Sequence, residues 1–148
     1  MAATAFEFFN NFKKQLGLGN IDLSGTSTSF KMILLGSAST VESHANDWNN
    51  YASVNGELAT DNGYTAGGKA LTVNWSVKTT TSTYSWTFNT VVFTAAAASA
   101  MTDVKYALIM TATSSILVCY SKLTTAAVTV TAGQEYHIYP TTVAFELN

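Results

Sequence analysis

The residues Gly63-Tyr64-Thr65-Ala66-Gly67-Gly68-Lys69-Ala70-Leu71 put two glycines and a lysine at the spacing of a phosphate loop. In such a loop backbone amides and the lysine converge on phosphate oxygens, and a serine or threonine after the lysine reaches magnesium. Ala70 stands where that hydroxyl is needed. The segment before the stretch is polar and the segment after it alternates as a strand, so the amide cluster and dipole of a helix N-terminus are missing too. The stretch therefore reads as a glycine-shaped turn and bulge, with Asn62, Gly63, Gly67 and Gly68 as its structural residues, leading into an outer strand.

Other reactive side chains are dispersed. Glu42, His44 and Asp47 look superficially like metal ligands, but Glu42 and His44, two apart, face different sides of a helix. His137 lies far away in a late strand. Asp22, Glu57, Asp61, Asp103, Glu135 and Glu146 form no sequence pair that proposes a general acid and base. The many serines and threonines lack a nucleophile elbow. Cys119 sits in the apolar run Ser115-Ile116-Leu117-Val118-Cys119-Tyr120 and reads as a buried, unreactive thiol. No catalytic residue, metal or cofactor is expected. Trp48, Trp75, Tyr84, Trp86 and Phe88 could form a carbohydrate platform, against core packing as the commoner use of alternating aromatics.

Composition narrows the partners. Charged residues are 11% of the chain, well below the roughly 25% usual for soluble domains, so Thr, Ser, Asn and Ala must cover the surface or neighbours must hide it. All seven basic residues are lysines, and the net charge is −2. Without arginine forks or a positive field, nucleic acid is a poor partner. No stretch approaches the roughly 20 apolar residues of a membrane span, and the N-terminus lacks the pattern of a secretory signal, so synthesis in the cytosol is expected. Asn74-Trp75-Ser76 matches a glycosylation acceptor by chance inside a strand.

The pattern of elements is mostly β. A domain of 148 residues can bury roughly 68–70% of its extended surface without metal or disulfide. Thr4 and Glu7 have capping-box spacing, predicting a helix from about Thr4 to Leu16 with Gly17 as its left-handed cap. Its aromatic face, Phe6, Phe8, Phe9, Phe12 and Leu16, inserts into the domain's own core or lies on a neighbouring subunit. Residues 1–20 are thus read as a helical docking segment and 21–148 as a β-sandwich domain. Phe30 to Leu35 reads as a buried strand, Thr40 to Asn50 as a short inserted helix, and Tyr51 to Leu58 as a strand. Leu71, Val73, Trp75 and Val77 alternate with polar residues, as do Tyr84, Trp86 and Phe88. Val91 to Phe93, Val104 to Thr111, Ser115 to Lys122, Val128 to Thr131, Glu135 to Tyr139 and Thr142 to Leu147 complete the strands, while Ala95 to Ala100 is left between a helical turn and a loop. Many short strands predict an all-β single domain, a β-sandwich or a jelly-roll-like barrel.

Phe30-Lys31-Met32 with Leu34-Leu35, His44-Ala45-Asn46-Asp47-Trp48, Tyr64 to Leu71, and Asp103-Val104-Lys105-Tyr106-Ala107-Leu108-Ile109 together resemble a small β-rich structural protein of tailed-bacteriophage virions. The likeness covers about Phe30 to Leu147. The phenylalanine-rich segment before Phe30 and the apolar Ala95 to Ala100 tract depart from it. The resemblance implies a non-enzymatic virion component. Its leading form is a capsid decoration or cement protein that contacts the major capsid protein and self-associates, with a trimer among the allowed forms. A neck, tail or fibre-associated protein is the first alternative, and a glycan-binding module the second.

Overall fold

The computed structural model describes residues 5–26, 28–78, 83–140 and 145–147. Its elements in chain order are β1 (Glu7–Phe8), α1 (Asn10–Gly17), β2 (Phe30–Leu35), two single 3₁₀ turns (Val41–Ser43 and Tyr51–Ser53), β3 (Lys69–Leu71), β4 (Val73–Lys78), β5 (Thr83–Phe88), β6 (Val91–Thr94), β7 (Met101–Val104), β8 (Tyr106–Thr111), β9 (Leu117–Lys122), β10 (Val128–Val130), β11 (Glu135–Ile138) and β12 (Phe145–Leu147). The fold is all-β, in one domain.

A five-stranded antiparallel sheet, ordered β1-β9-β8-β2-β3, forms the centre. Its inner strands are nearly continuous runs of apolar residues, and β8 is buried along its whole length. Such runs suit a sheet covered on both faces. Alternation puts Phe30, Met32, Leu34, Ile109 and Cys119 on one face and Ile33, Leu35, Tyr106, Leu108 and Tyr120 on the other. On the first face Phe30 meets Trp86 of β5 at 5.2 Å between ring centroids. On the second, the Tyr106 hydroxyl reaches Glu42 and Tyr120 packs on Phe9 at 5.6 Å.

The outer β layer consists of β12-β5-β4, β11-β6 and β10-β7. At Thr72 the chain passes from the central sheet into this layer, and it leaves the β4–β5 pairing at Asn89, whose N–H donates to Thr72 O at 3.0 Å. Among the described residues these strands do not close into a barrel, so the sandwich is the form adopted.

The N-terminal segment is woven into this body. Glu7 and Phe8 pair with Tyr120 and Cys119, and the Phe9 N–H donates to Val118 O at 3.1 Å. The helix therefore starts at Asn10, six residues after the predicted start, because β9 has an open edge that Phe-rich backbone fits better. Thr4, the proposed capping residue, lies outside the described residues. The left-handed residue after the helix is Gly19, at φ +74°, and not Gly17, which is the last helical residue.

Residues 40–50 do not form the predicted helix. Val41–Ser43 makes one 3₁₀ turn, and the Thr40 N–H is taken by Asn55 Oδ1 at 3.0 Å. Asn46, Asp47, Asn49 and Asn50 follow, residues that favour local side-chain bonds over helix. The Tyr51–Leu58 strand is likewise replaced by a 3₁₀ turn and one bridge, Leu35 to Glu57. Residues 95–100 hold no helix. The expected strand from Thr142 is described only over Phe145–Leu147.

Cys119 is fully buried in the central sheet, and burial pushes its thiol well above the usual range. A water-soluble disulfide reagent should leave the native protein unlabelled and label it fully in denaturant; stoichiometric labelling without denaturant would contradict the packing.

Candidate functional site

The glycine stretch is organised by a carboxylate. Asp61 and Tyr64 exchange backbone hydrogen bonds of 3.1 and 2.9 Å across Asn62-Gly63, whose φ values are both positive, +51° and +95°. This is the two-residue hairpin that an Asn-Gly pair favours. A second turn closes when the Gly68 N–H donates to Thr65 O at 3.1 Å, with Gly67 at φ +90°. Between the turns, Glu57 Oε1 accepts from the Tyr64 hydroxyl at 2.6 Å and from the Gly67 N–H at 2.7 Å, while Oε2 accepts from the Tyr51 hydroxyl. Tyr64, itself buried, accepts the Leu34 N–H at 3.2 Å, tying the loop to β2.

The groups a phosphate would need are thus committed. The Gly67 amide faces a carboxylate, the Gly68 amide closes a turn, and Lys69 Nζ donates to Val92 O at 2.7 Å. Asn62, Gly63, Gly67 and Gly68 occupy the turn positions expected of them.

The node also shapes ionisation. The hydrogen bond to Glu57, aided by burial, pushes the Tyr51 hydroxyl from 10.0 up to about 12. Burial, then the same carboxylate, raises Tyr64 as well. The unfolded tyrosines lose their protons near their ordinary value, while the folded ones keep them. The unfolded state therefore binds fewer protons in this window, and stability falls as pH rises. Stability should be intact below pH 10 and decline between about 10 and 12, with tyrosinate absorbance and loss of near-ultraviolet dichroism rising together. Glu57→Gln should let Tyr51 titrate earlier than in the parent; unchanged titration would refute the assigned cause.

Beside the node lies a cleft of about 340 Å³, lined by Ala38, Glu57, Leu58, Asp61, Met101 and Asp103 among others. Its carboxylates are engaged locally: Asp103 accepts the Ser37 N–H on both oxygens at 3.1 Å, and Asp61 Oδ1 accepts the Asn62 N–H at 2.7 Å. These bonds brace the loops on either side of the cleft.

Other candidates are separated. Glu42 turns to the Tyr106 hydroxyl (2.7 Å) and Lys122 (3.0 Å), contacts that hold its carboxyl below the usual range. His44 instead stacks on Trp48 and faces Asp47 at 3.5 Å, and His137 pairs with Glu135 at 2.9 Å. Among the described residues no three such groups converge as a metal site. Trp86 and Phe88 lie in the core, Trp48 is buried and Trp75 is half-buried, so these four rings do not share an exposed plane; the Tyr84 side chain lies outside what the structure describes.

The five aromatic-face residues are also located. Phe9 and Phe12 are fully buried, and Phe6, Phe8 and Leu16 are half-buried against the same core. Phe8 stacks on Phe12 at 5.3 Å and Phe6 meets Phe88 edge-on at 5.5 Å. Of the two fates open to that face, the chain's own core takes it. Sequence reading missed Glu57 as a node because its partners, six, seven and ten residues away, are gathered by turns and share no single helix or strand face with it.

Comparison with protein-family models, characterised proteins and solved structures yields no match to this chain.

Proposed function

We propose that the chain is a structural protein of a bacteriophage virion, acting as a capsid decoration or cement protein that bridges and stabilises major capsid protein subunits. The resemblance of its segments to such proteins carries the reading. Its support is spatial: Phe30 to Leu35, Tyr64 to Leu71 and Tyr106 to Ile109, distant in sequence, adjoin as β2, β3 with its glycine turn, and β8. A body with a central sheet covered on both faces and few surface charges suits lasting adhesion, in which many modest contacts raise the barrier to separating shell subunits. Rotational self-association would match the symmetry of a shell.

Adding the purified protein to capsids stripped of it tests the proposal. It should cosediment to saturation at a stoichiometry set by capsid symmetry and delay thermal rupture of the shell. Cosedimentation with tails alone would transfer it to the neck, tail or fibre class. Binding to host polysaccharide and to no particle would replace both readings.

A further inference from the structure

An antiparallel pair exchanges its main-chain hydrogen bonds at alternate residues. The Asn89 N–H donates to Thr72 O at the foot of the β4–β5 ladder. Thr72, Asn74, Ser76 and Lys78 therefore turn their main-chain groups toward β5, and Val73, Trp75 and Val77 turn theirs away from it. Among the described residues β4 is the outermost strand of its sheet, so the second set lines an edge.

Proteins commonly guard such edges by keeping them short, bulging them, or placing proline or lysine on them. The other edge strands described here are shorter: β1 has two residues, β3, β10 and β12 have three each, and β6, β7 and β11 have four each. Lys69 also bridges β3 to Val92 O of β6. β4 runs for six residues, pairs with β5 without a register shift and contains no proline. Its side chains alternate. Val73 and Trp75 are half-buried against the core, with Trp75 opposite Trp86, while Asn74 and Ser76 are exposed and uncharged.

We infer that two copies of this chain associate through β4, antiparallel about a twofold axis at Trp75. That axis joins Val73 to Val77 of the second copy, and Trp75 to Trp75, by main-chain bonds. The two outer sheets then run on as β12-β5-β4-β4-β5-β12. A second copy is the occupant because the strand is its own complement. In this register Asn74 lies beside Ser76 of the second copy, and the position of Lys78 falls opposite Thr72, so no like charges meet along the pairing. Apolar positions meet apolar ones on the core side. A contact of one strand is small beside the roughly 1,600 Å² of a standard interface, so micromolar association is expected. The inference is independent of the capsid reading and is tested without particles.

The test is sedimentation of the full chain over a range of concentrations, with amide exchange followed by nuclear magnetic resonance. Rising concentration should convert monomer to dimer and slow exchange at the Val73, Trp75 and Val77 amides together. Asn74→Lys combined with Ser76→Lys sets lysines against one another on both sides of the axis and should weaken the dimer roughly tenfold or more. Asn74→Glu combined with Ser76→Lys loses the same bonds to Asn89 and Ser85 but sets opposite charges across the axis, and should restore the dimer. Val73→Pro, which removes an N–H directed out of the sheet, should weaken it without new charge, and serves if the lysine pair disturbs the fold. A chain that stays monomeric, a dimer that leaves those amides unprotected, or equal affinity of the two charge variants would overturn the inference.

Discussion

Phe9→Ala should destabilise the isolated protein by about 3–5 kcal/mol, the range for deleting a large buried aromatic. Phe9 is fully buried, packs on Tyr120, and sits where β1 gives way to α1, with its N–H bonded to Val118 O. The surrounding β8 and β9 side chains belong to a sheet covered on both faces, so collapse into the cavity is restricted. Urea denaturation of the purified chain measures the effect. A docking residue would behave oppositely, leaving the free protein unchanged and weakening only its attachment. Removing residues 1–19 therefore tests folding before it tests binding. A loss under about 1 kcal/mol in Phe9→Ala would reject this packing.

Gly63→Ala should cost about 3 kcal/mol or more, and Gly67→Ala clearly less, although both glycines have nearly the same positive φ. At Gly63 an added Cβ would lie 2.1 Å from Thr94 O and 2.7 Å from Ala96 N, backbone atoms that cannot rotate away. Those atoms are anchored in turn: the Ala96 N–H donates to Asn62 O and the Ala95 N–H to Gln134 O. At Gly67 a Cβ meets nothing within 4 Å, so only the conformational cost of about 1–2 kcal/mol applies. Thermal melts of both variants decide the order. Equal losses would show that φ alone governs the loop, and a reversed order would contradict the contact with Thr94.

The readability of these features from sequence follows their range. Asn62-Gly63 was legible because a two-residue hairpin is a local property of residues that tolerate positive φ. Val73 to Val77 and Tyr84 to Phe88 were legible because alternation records a sheet with unlike faces, and their registers pair Trp75 with Trp86. Glu7 and Phe8 were misread because their strand exists only when β9, over a hundred residues later, offers its edge. Residues 40–50 were misread because apolar Val41, Ala45 and Trp48 keep helical phase, while Asn46, Asp47, Asn49 and Asn50 between and after them favour turns over helix. Glu57 was hidden for a third reason. A carboxylate that gathers two tyrosines and a glycine amide is defined by loop closure, which leaves no period in the chain.

The pairing of Glu7 with Tyr120, reinforced by the Tyr120 hydroxyl on Glu7 Oε2 at 2.6 Å across 113 positions, also bears on biosynthesis. β1 cannot find its seat until the ribosome has released the chain as far as β9. Closing so long a loop must precede any reward from its contacts, which slows folding. Until then Phe8 and Phe9 travel without their β9 partners, and this nascent interval is when chaperone capture or clumping would occur.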